Sequence, residues 1–244
     1  MTDNTWKGFK EFEVYKRVEE NKEIISLFLR PVDGSKVPLH KSGQFIGIKV
    51  IDKDNEEISK LVRMYSLSSA PSEDYYRITI KIVEDGRLTP YLRDNIHEGD
   101  ILNVMAPRGH FFLDTEATTP VALLGGGIGM TPVFSMLQDK LEGIAVDFIY
   151  SYRNEEESCF LDEVIEYNKK DNIKVTTFCT RPTENDKALG KYDVEGRINK
   201  EWIAENLDLT GDFYFCGNKA FTETLKGVLA ELGVTEDRIH YEFF

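Results

Sequence analysis

Long apolar runs, a secretory leader and an excess of positive charge are all missing from this 244-residue chain. No apolar segment approaches the roughly 18 residues of a membrane-spanning helix, and the N-terminus has no basic region followed by an apolar one. We therefore predict no membrane association and no secretion. The formal net charge of −13, from 30 basic and 43 acidic side chains, disfavours nucleic-acid binding, which needs a basic surface.

Cysteine and histidine are also scarce. The three cysteines (Cys159, Cys179 and Cys216) are odd in number and widely spaced, which argues against a disulfide framework and favours a reducing compartment. They are too few for a four-cysteine iron–sulfur cluster within this chain, and the four histidines show no zinc spacing. We predict a cytoplasmic protein without a metal site.

The first half of the chain has the pattern of a small antiparallel β-barrel. Short segments rich in β-branched and aromatic residues are separated by turn signals such as Asp33-Gly34 and Asp85-Gly86. One helix is predicted over Leu88–Asn95. The predicted strands are Glu11–Val18, Glu23–Leu29, Phe45–Val50, Tyr75–Val83 and Asp100–Ala106.

After a polar linker over Asp114–Pro120, strands and helices alternate, which is typical of a doubly wound parallel sheet. In the clearest helix, Lys219–Leu232, Asn218 can cap the start and Gly233 can end it. We therefore predict a barrel domain over residues 1–114 and an α/β domain over residues 117–244. The predicted strands are Val121–Leu124, Ala145–Tyr150, Ile173–Cys179, Asp212–Cys216 and Ile239–Phe243. The other predicted helices are Pro132–Leu141, Phe160–Asn168 and Lys200–Asn206.

A glycine-rich loop follows the first strand of the second half. Gly125, Gly126, Gly127 and Gly129 allow backbone N–H groups to approach a ligand closely, and Pro132 suits the first position of a helix. A strand, a glycine loop and a helix N-terminus together make an anion site, usually for phosphate. The spacing is not G-x-G-x-x-G, so the loop predicts a nucleotide site without identifying the nucleotide.

A second motif, Arg63-Met-Tyr-Ser66, lies in the first half. Arg63 can hold a phosphate with its forked guanidinium, Tyr65 offers a ring for stacking, and Ser66 offers a hydroxyl. The motif equally fits a strand with exposed polar residues. The turn over residues 86–90 feeds the predicted helix and makes a second phosphate site plausible.

Two features near the C-terminus complete the pattern. Cys216-Gly217 ends a predicted central strand, where ligands of α/β proteins bind, although a small buried cysteine would fit equally well. The chain stops in a strand with Glu242 and Phe244, which fits core packing or an aromatic cover for a flat cofactor.

These motifs, in this order, resemble the ferredoxin–NADP reductase superfamily, most closely the reductase module of flavohaemoglobins and the oxygenase reductases. The resemblance runs from about Phe9 to Phe244. It implies an antiparallel Greek-key FAD-binding barrel followed by an NAD(P)H-binding α/β domain. It also implies an oxidoreductase that passes hydride from NAD(P)H to FAD and then electrons to an acceptor.

The resemblance also assigns roles to individual residues. Arg63 would contact the FAD pyrophosphate, Tyr65 would lie on the isoalloxazine and Ser66 would hydrogen-bond near its N5. Cys216 and Glu242 would line the nicotinamide pocket and, with Ser66, form the catalytic set. Further FAD contacts are implied for Ile80, Ile82, Val83, Gly86, Arg87, Leu88 and Thr89, and for Phe244 as a cover on the flavin. The implied NAD(P)H contacts are Gly126, Gly127, Ile128, Gly129, Thr131, Arg153, Arg181, Cys216 and Gly217.

The electron donor and the acceptor are predicted from charged residues and from the domains that the chain lacks. Residues 150–153 carry no acid for a ribose hydroxyl, whereas Arg153, Arg181 and Lys191 could neutralise a 2′-phosphate, so we predict NADPH, with NADH as the alternative. No globin or ferredoxin-like segment is apparent, so we expect a separate haem or iron–sulfur protein as acceptor. A flavin or ferric reductase with a small-molecule acceptor, and a nucleotide-binding regulatory subunit, are the competing hypotheses.

Overall fold

A computed structural model of the chain describes residues 6–116, 118–139, 141 and 143–244. It divides into two compact units, Met1–Phe112 and Leu113–Phe244. The first five residues, on which the prediction of no secretory signal partly depends, lie outside the described residues. No helix in the described ranges is both long enough and apolar enough to cross a bilayer.

In the described part of the first unit, six strands form one antiparallel sheet in the order β4-β3-β6-β1-β2-β5. An antiparallel bridge between Leu67 and Ile78 joins the two ends of this order, so the sheet closes into a barrel. In chain order the elements are β1 (Phe9–Asn21), β2 (Ile24–Pro31), β3 (Phe45–Lys49), α1 (Glu56–Ser59), β4 (Arg63–Ser66), β5 (Tyr76–Lys81), α2 (Leu88–Asn95) and β6 (Ile101–Met105).

The barrel is filled by apolar side chains from alternate strand positions. On β5, Tyr76, Ile78 and Ile80 belong to the core, together with residues of β1, β2, β3 and β6. Each of the five predicted strands overlaps an observed one, and the predicted helix coincides with α2. The structure also contains α1, which was not predicted, and Arg63–Ser66 forms a strand.

The second unit contains a parallel sheet in the order β10-β9-β8-β7-β11-β12. The sheet and the antiparallel barrel confirm the predicted fold class. The elements are β7 (Val121–Gly126), α3 (Met130–Leu137), β8 (Val146–Tyr152), α4 (Leu161–Glu166), β9 (Ile173–Cys179), α5 (Glu184–Leu189), β10 (Val194–Glu195), α6 (Lys200–Asn206), β11 (Asp212–Gly217), α7 (Lys219–Glu231) and β12 (Ile239–Phe243). Short 3₁₀ turns precede α3, α4 and β12 and follow α4.

Helix α7 forms as its sequence predicts. The Asn218 side chain accepts a hydrogen bond from the Phe221 N–H at 2.9 Å, and Gly233 adopts a φ of 85° just beyond the helix. Leu225 and Leu229 are buried in the core between the helix and the sheet. Helix α7 therefore covers one face of β11, the strand that ends in Cys216-Gly217.

Two local predictions in the second unit were wrong. Pro132 is the third residue of α3, not the first, because a 3₁₀ turn over Gly127–Gly129 starts the winding earlier. Proline is tolerated there because N–H groups in the first helical turn have no partner within the helix. The helix ends at Leu137 rather than Leu141, and residue 140 of the predicted span lies outside the described residues. Helix α5 and strand β10 were not predicted.

Candidate nucleotide and flavin sites

The glycine loop and Cys216 meet where the strand order of the second sheet reverses. Strand β7 lies between β8, the next strand in the chain, and β11, so their carboxyl ends border the crevice in which ligands of such sheets bind. An ideal Cβ on Gly129 would lie 2.3 Å from the Cys216 carbonyl oxygen and 2.6 Å from the Gly217 nitrogen. The loop and the end of β11 are thus packed backbone to backbone.

Two further glycines in this crevice make room for Phe221 on α7. A Cβ on Gly126 would lie 2.9 Å from its ring, and one on Gly217 would lie 2.5 Å from it. Gly127 has a φ of 55°, which favours glycine on conformational grounds. The sequence does not predict this contact, because no local signal links Phe221 to glycines so far away in the chain.

Within the loop, Thr131 has a local role. Its hydroxyl donates to the Ile128 carbonyl at 3.0 Å, and its side chain is buried. We infer that Thr131 shapes the loop, so that any phosphate would be held mainly by backbone N–H groups. Its predicted contact with NAD(P)H, like those of Gly126, Ile128 and Gly217, stays a prediction.

Cys216 and Glu242 are neighbours, as the resemblance implies. Strands β11 and β12 pair in parallel with Cys216 opposite Glu242. Burial, and secondly the charge of Glu242, raise the pKa of the Cys216 thiol, so this side chain is a neutral thiol at physiological pH. Burial also raises the pKa of Glu242. The pair therefore offers a neutral thiol and a carboxyl group that protonates more readily than usual.

The raised pKa of Glu242 predicts a pH-dependent difference in stability. A carboxyl with a raised pKa stabilises the fold fully below its unfolded value, ordinarily 4.5, and this contribution is lost as pH rises through the folded pKa. We therefore expect Glu242→Gln, which stays neutral, to gain stability relative to wild type as pH rises from about 4.5 to neutrality. Urea unfolding midpoints at several pH values test this, and a pH-independent difference would contradict it.

The other predicted nucleotide contacts lie at the carboxyl ends of β8 and β9. The Arg181 N–H donates to the Arg153 carbonyl at 2.8 Å, so the two arginines are adjacent. Arg153 forms an ion pair with Glu157 at 2.9 Å, and Lys191 pairs with Glu155 at 2.7 Å and Asp162 at 3.1 Å. Of the three cations that we predicted for a 2′-phosphate, two are therefore paired with carboxylates.

In the first unit, β4 carries the motif assigned to FAD. Arg63 is exposed, with its guanidinium donating to the Val62 carbonyl at 2.9 Å. Tyr65 packs against the barrel core, and burial raises its pKa to about 12, partly offset by Arg63. The half-buried Ser66 hydroxyl has no hydrogen-bond partner among the described residues and is available to a ligand.

Closure of the barrel brings the turn over residues 86–90, which we predicted as a second phosphate site, towards Arg63. The strands β4 and β5 run antiparallel from the Leu67–Ile78 bridge, so the Arg63 end of β4 lies towards the end of β5 that leads to Gly86. Helix α2 has no side-chain cap at its start, which leaves backbone N–H groups for an anion. The Thr89 hydroxyl accepts the Val83 N–H at 2.9 Å and so supports this turn.

The remaining predicted FAD contacts differ in accessibility. Ile80 and Ile82 lie in the barrel core, Leu88 is buried, and Val83 is 58% exposed. Only Val83 of these four can offer its side chain freely to a ligand. Arg87 is exposed and lies 3.8 Å from Glu57.

Phe244 at the C-terminus is 63% exposed, although its N–H donates to the Gly217 carbonyl at 3.4 Å. Its backbone is held beside the crevice while its ring is accessible to a ligand. Its role as a flavin cover stays a prediction.

Removing the Arg63 guanidinium should weaken FAD binding. Hydrogen bonds to charged groups contribute about 1.5–3 kcal/mol, so Arg63→Ala should lower FAD affinity by about tenfold or more. Fluorescence titration of the stripped protein measures the change. Arg63→Lys keeps the charge but loses the forked guanidinium, so its FAD affinity should lie between those of wild type and Arg63→Ala. Equal FAD affinities for all three proteins would contradict the assignment of Arg63 to FAD.

Comparison with known proteins identifies the two halves of the chain as oxidoreductase domains. A family profile for the oxidoreductase FAD-binding domain matches residues 15–113, and one for the oxidoreductase NAD-binding domain matches residues 123–226. The chain is 38% identical over 249 residues to a flavohemoprotein of Bacillus anthracis, covering 98% of this chain and 61% of the relative. The chain therefore spans about three fifths of the length of this relative.

Solved structures agree with the sequence matches. The flavohem-like FAD/NAD-binding domain of a nitric oxide dioxygenase from Vibrio cholerae O1 biovar El Tor superposes with a TM-score of 0.84 at 30% identity, covering 98% of this chain and 99% of that one. A flavohemoglobin from Malassezia yamatoensis with bound FAD and heme superposes with a TM-score of 0.80 at 27% identity, covering 97% of this chain and 60% of that one.

Proposed function

Because this chain belongs to the FAD- and NAD(P)H-binding oxidoreductases of the ferredoxin–NADP reductase superfamily, we propose that it oxidises NAD(P)H and delivers the electrons to a separate haem or iron–sulfur protein. The observation that carries the proposal is the crevice between β7 and β11, where Gly129 packs against the backbone of Cys216 and Gly217. This backbone arrangement suits a dinucleotide, and it is combined in one chain with the barrel that carries the FAD motifs.

In the proposed reaction, the protein binds and orients the two cofactors. FAD supplies the hydride-accepting chemistry and the release of single electrons. Hydride transfer requires donor and acceptor atoms at roughly 3–3.5 Å, so the side chains that fix each ring set the rate. Ser66 would donate its hydroxyl to the flavin near N5, and Cys216 would present a neutral thiol to the nicotinamide.

The acceptor is proposed from the relatives. The Malassezia flavohemoglobin contains heme, and the Vibrio domain comes from a nitric oxide dioxygenase. The two compact units of this chain correspond to the FAD- and NAD-binding parts. We therefore place the acceptor outside these two units. We also propose a cytoplasmic location, supported by three buried cysteines that form no disulfide.

Anaerobic titration tests the function in two steps. Adding NADH or NADPH to the FAD-loaded protein should bleach the flavin absorbance. The reduced protein should then reduce a ferric haem protein or an oxidised [2Fe–2S] protein faster than free FMN or a ferric chelate. The reverse ranking would favour a flavin or ferric reductase. A protein that neither takes up FAD nor bleaches would be the regulatory nucleotide-binding subunit.

A further inference from the structure

The ends of β8 and β9 carry an acid beside the cations that we assigned to the nucleotide. Asn154 caps a 3₁₀ turn over Glu155–Glu157 by accepting the Glu157 N–H at 3.1 Å. This turn brings a Glu157 carboxylate oxygen to 2.9 Å from the Arg153 guanidinium. The sequence shows no acid at the end of β8, because Glu157 lies five residues beyond the strand and only the turn returns it to Arg153.

The turn is held firmly in this position. The Glu155 N–H donates to Asp186 at 2.8 Å, and Asp186 also accepts the Thr183 N–H and hydroxyl, each at 2.6 Å. Although burial raises the pKa of Asp186, these hydrogen bonds lower it overall, so the residue anchors the turn as a carboxylate. The Glu155 side chain in turn holds Lys191. The fold therefore fixes the position of the turn that carries Glu155 and Glu157.

The charge balance at this end of the sheet leaves little positive charge for another anion. Arg153 is paired with Glu157, and Lys191 with two carboxylates. Arg181 is the one member of the three cations with no ion pair among the described residues. A 2′-phosphate carries about −1.5 to −2 charge at pH 7 and would need more than one free cation. A ribose 2′-hydroxyl instead needs a hydrogen-bond acceptor, which a carboxylate provides.

We propose that Glu157 selects NADH over NADPH, by accepting the ribose 2′-hydroxyl of NADH and by opposing the 2′-phosphate of NADPH at Arg153. The inference rests on the proposed function and names its electron donor. It reverses the NADPH prediction made from the sequence, because two of the three cations on which that prediction depended are already neutralised.

The matched pair Glu157→Gln and Glu156→Gln tests the proposal. Both variants remove one negative charge from the same turn, but Glu156 is exposed and pairs with no cation in the described residues. Wild type and Glu156→Gln should prefer NADH in kcat/KM. In Glu157→Gln, the ratio of kcat/KM for NADPH to kcat/KM for NADH should rise about tenfold, which corresponds to about 1.4 kcal/mol. Melting temperature and FAD content identify any variant that is damaged more generally.

Calorimetry supplies a readout that does not depend on turnover. On the FAD-containing protein, Glu157→Gln should tighten binding of adenosine 2′,5′-bisphosphate and weaken binding of 5′-AMP, whereas Glu156→Gln should change neither selectively. A wild-type preference for NADPH, or equal shifts in the two variants, would overturn the proposal. If neither dinucleotide bleached the flavin, the proposed function would fail, and calorimetry would still report on Glu157.

Discussion

Gly129→Ala should remove nucleotide-dependent flavin reduction while FAD remains bound. Gly129 has a φ of −61°, which any residue can adopt, so its requirement is for space. The added methyl would meet the carbonyl oxygen and carbon of Cys216 at 2.3 and 2.5 Å, which are backbone atoms of a central strand. Relief requires the loop and β11 to move apart, at a cost of about 1–3 kcal/mol. Stopped-flow flavin reduction and urea unfolding measure the two effects.

Gly227→Ala is the matched control for this prediction. Gly227 lies inside α7, and no heavy atom lies within 4 Å of its ideal Cβ position. Alanine is the better helix former by about 1 kcal/mol, so this variant should be at least as stable as wild type and fully active. Flavin reduction at the wild-type rate in Gly129→Ala would show that the crevice is not the nucleotide site.

Ser66→Ala should slow flavin reduction without releasing FAD. The Ser66 hydroxyl is free of protein hydrogen bonds among the described residues, and the neighbouring Arg63 and Tyr65 carry the predicted binding contacts. Removing one preorganised hydrogen-bond donor from a reacting centre costs about 10²–10³ in rate. We therefore expect a fall of about a hundredfold in the first-order rate of flavin reduction at saturating NADH.

Ser72→Ala makes the same chemical change in the loop after β4 and should leave the first-order rate of flavin reduction unchanged. FAD content, from the visible spectrum, must match wild type in both variants for the comparison to hold. A wild-type reduction rate in Ser66→Ala would remove Ser66 from the catalytic set while leaving the family assignment intact.

Much of the fold was predictable because its signals are local. The alternation of apolar and polar residues on β5, the caps of α7 and the helix over Leu88–Asn95 each depend on neighbours within a few residues. Strand β10 was missed because a strand of two residues carries no periodicity. Pro132 was misplaced because proline fits several positions of a first helical turn, and the winding of the glycine loop decided among them.

The two-unit architecture, the glycine loop and the order of the motifs could all be read from the chain, because strand and helix periods and turn residues act over short distances. Which groups meet depends instead on the folded arrangement. Gly129 packs against Cys216 because β7 and β11 are adjacent in the sheet but far apart in the chain. Glu157 reaches Arg153 because a capped turn reverses the chain beyond β8, and the charge available to the electron donor depends on that contact.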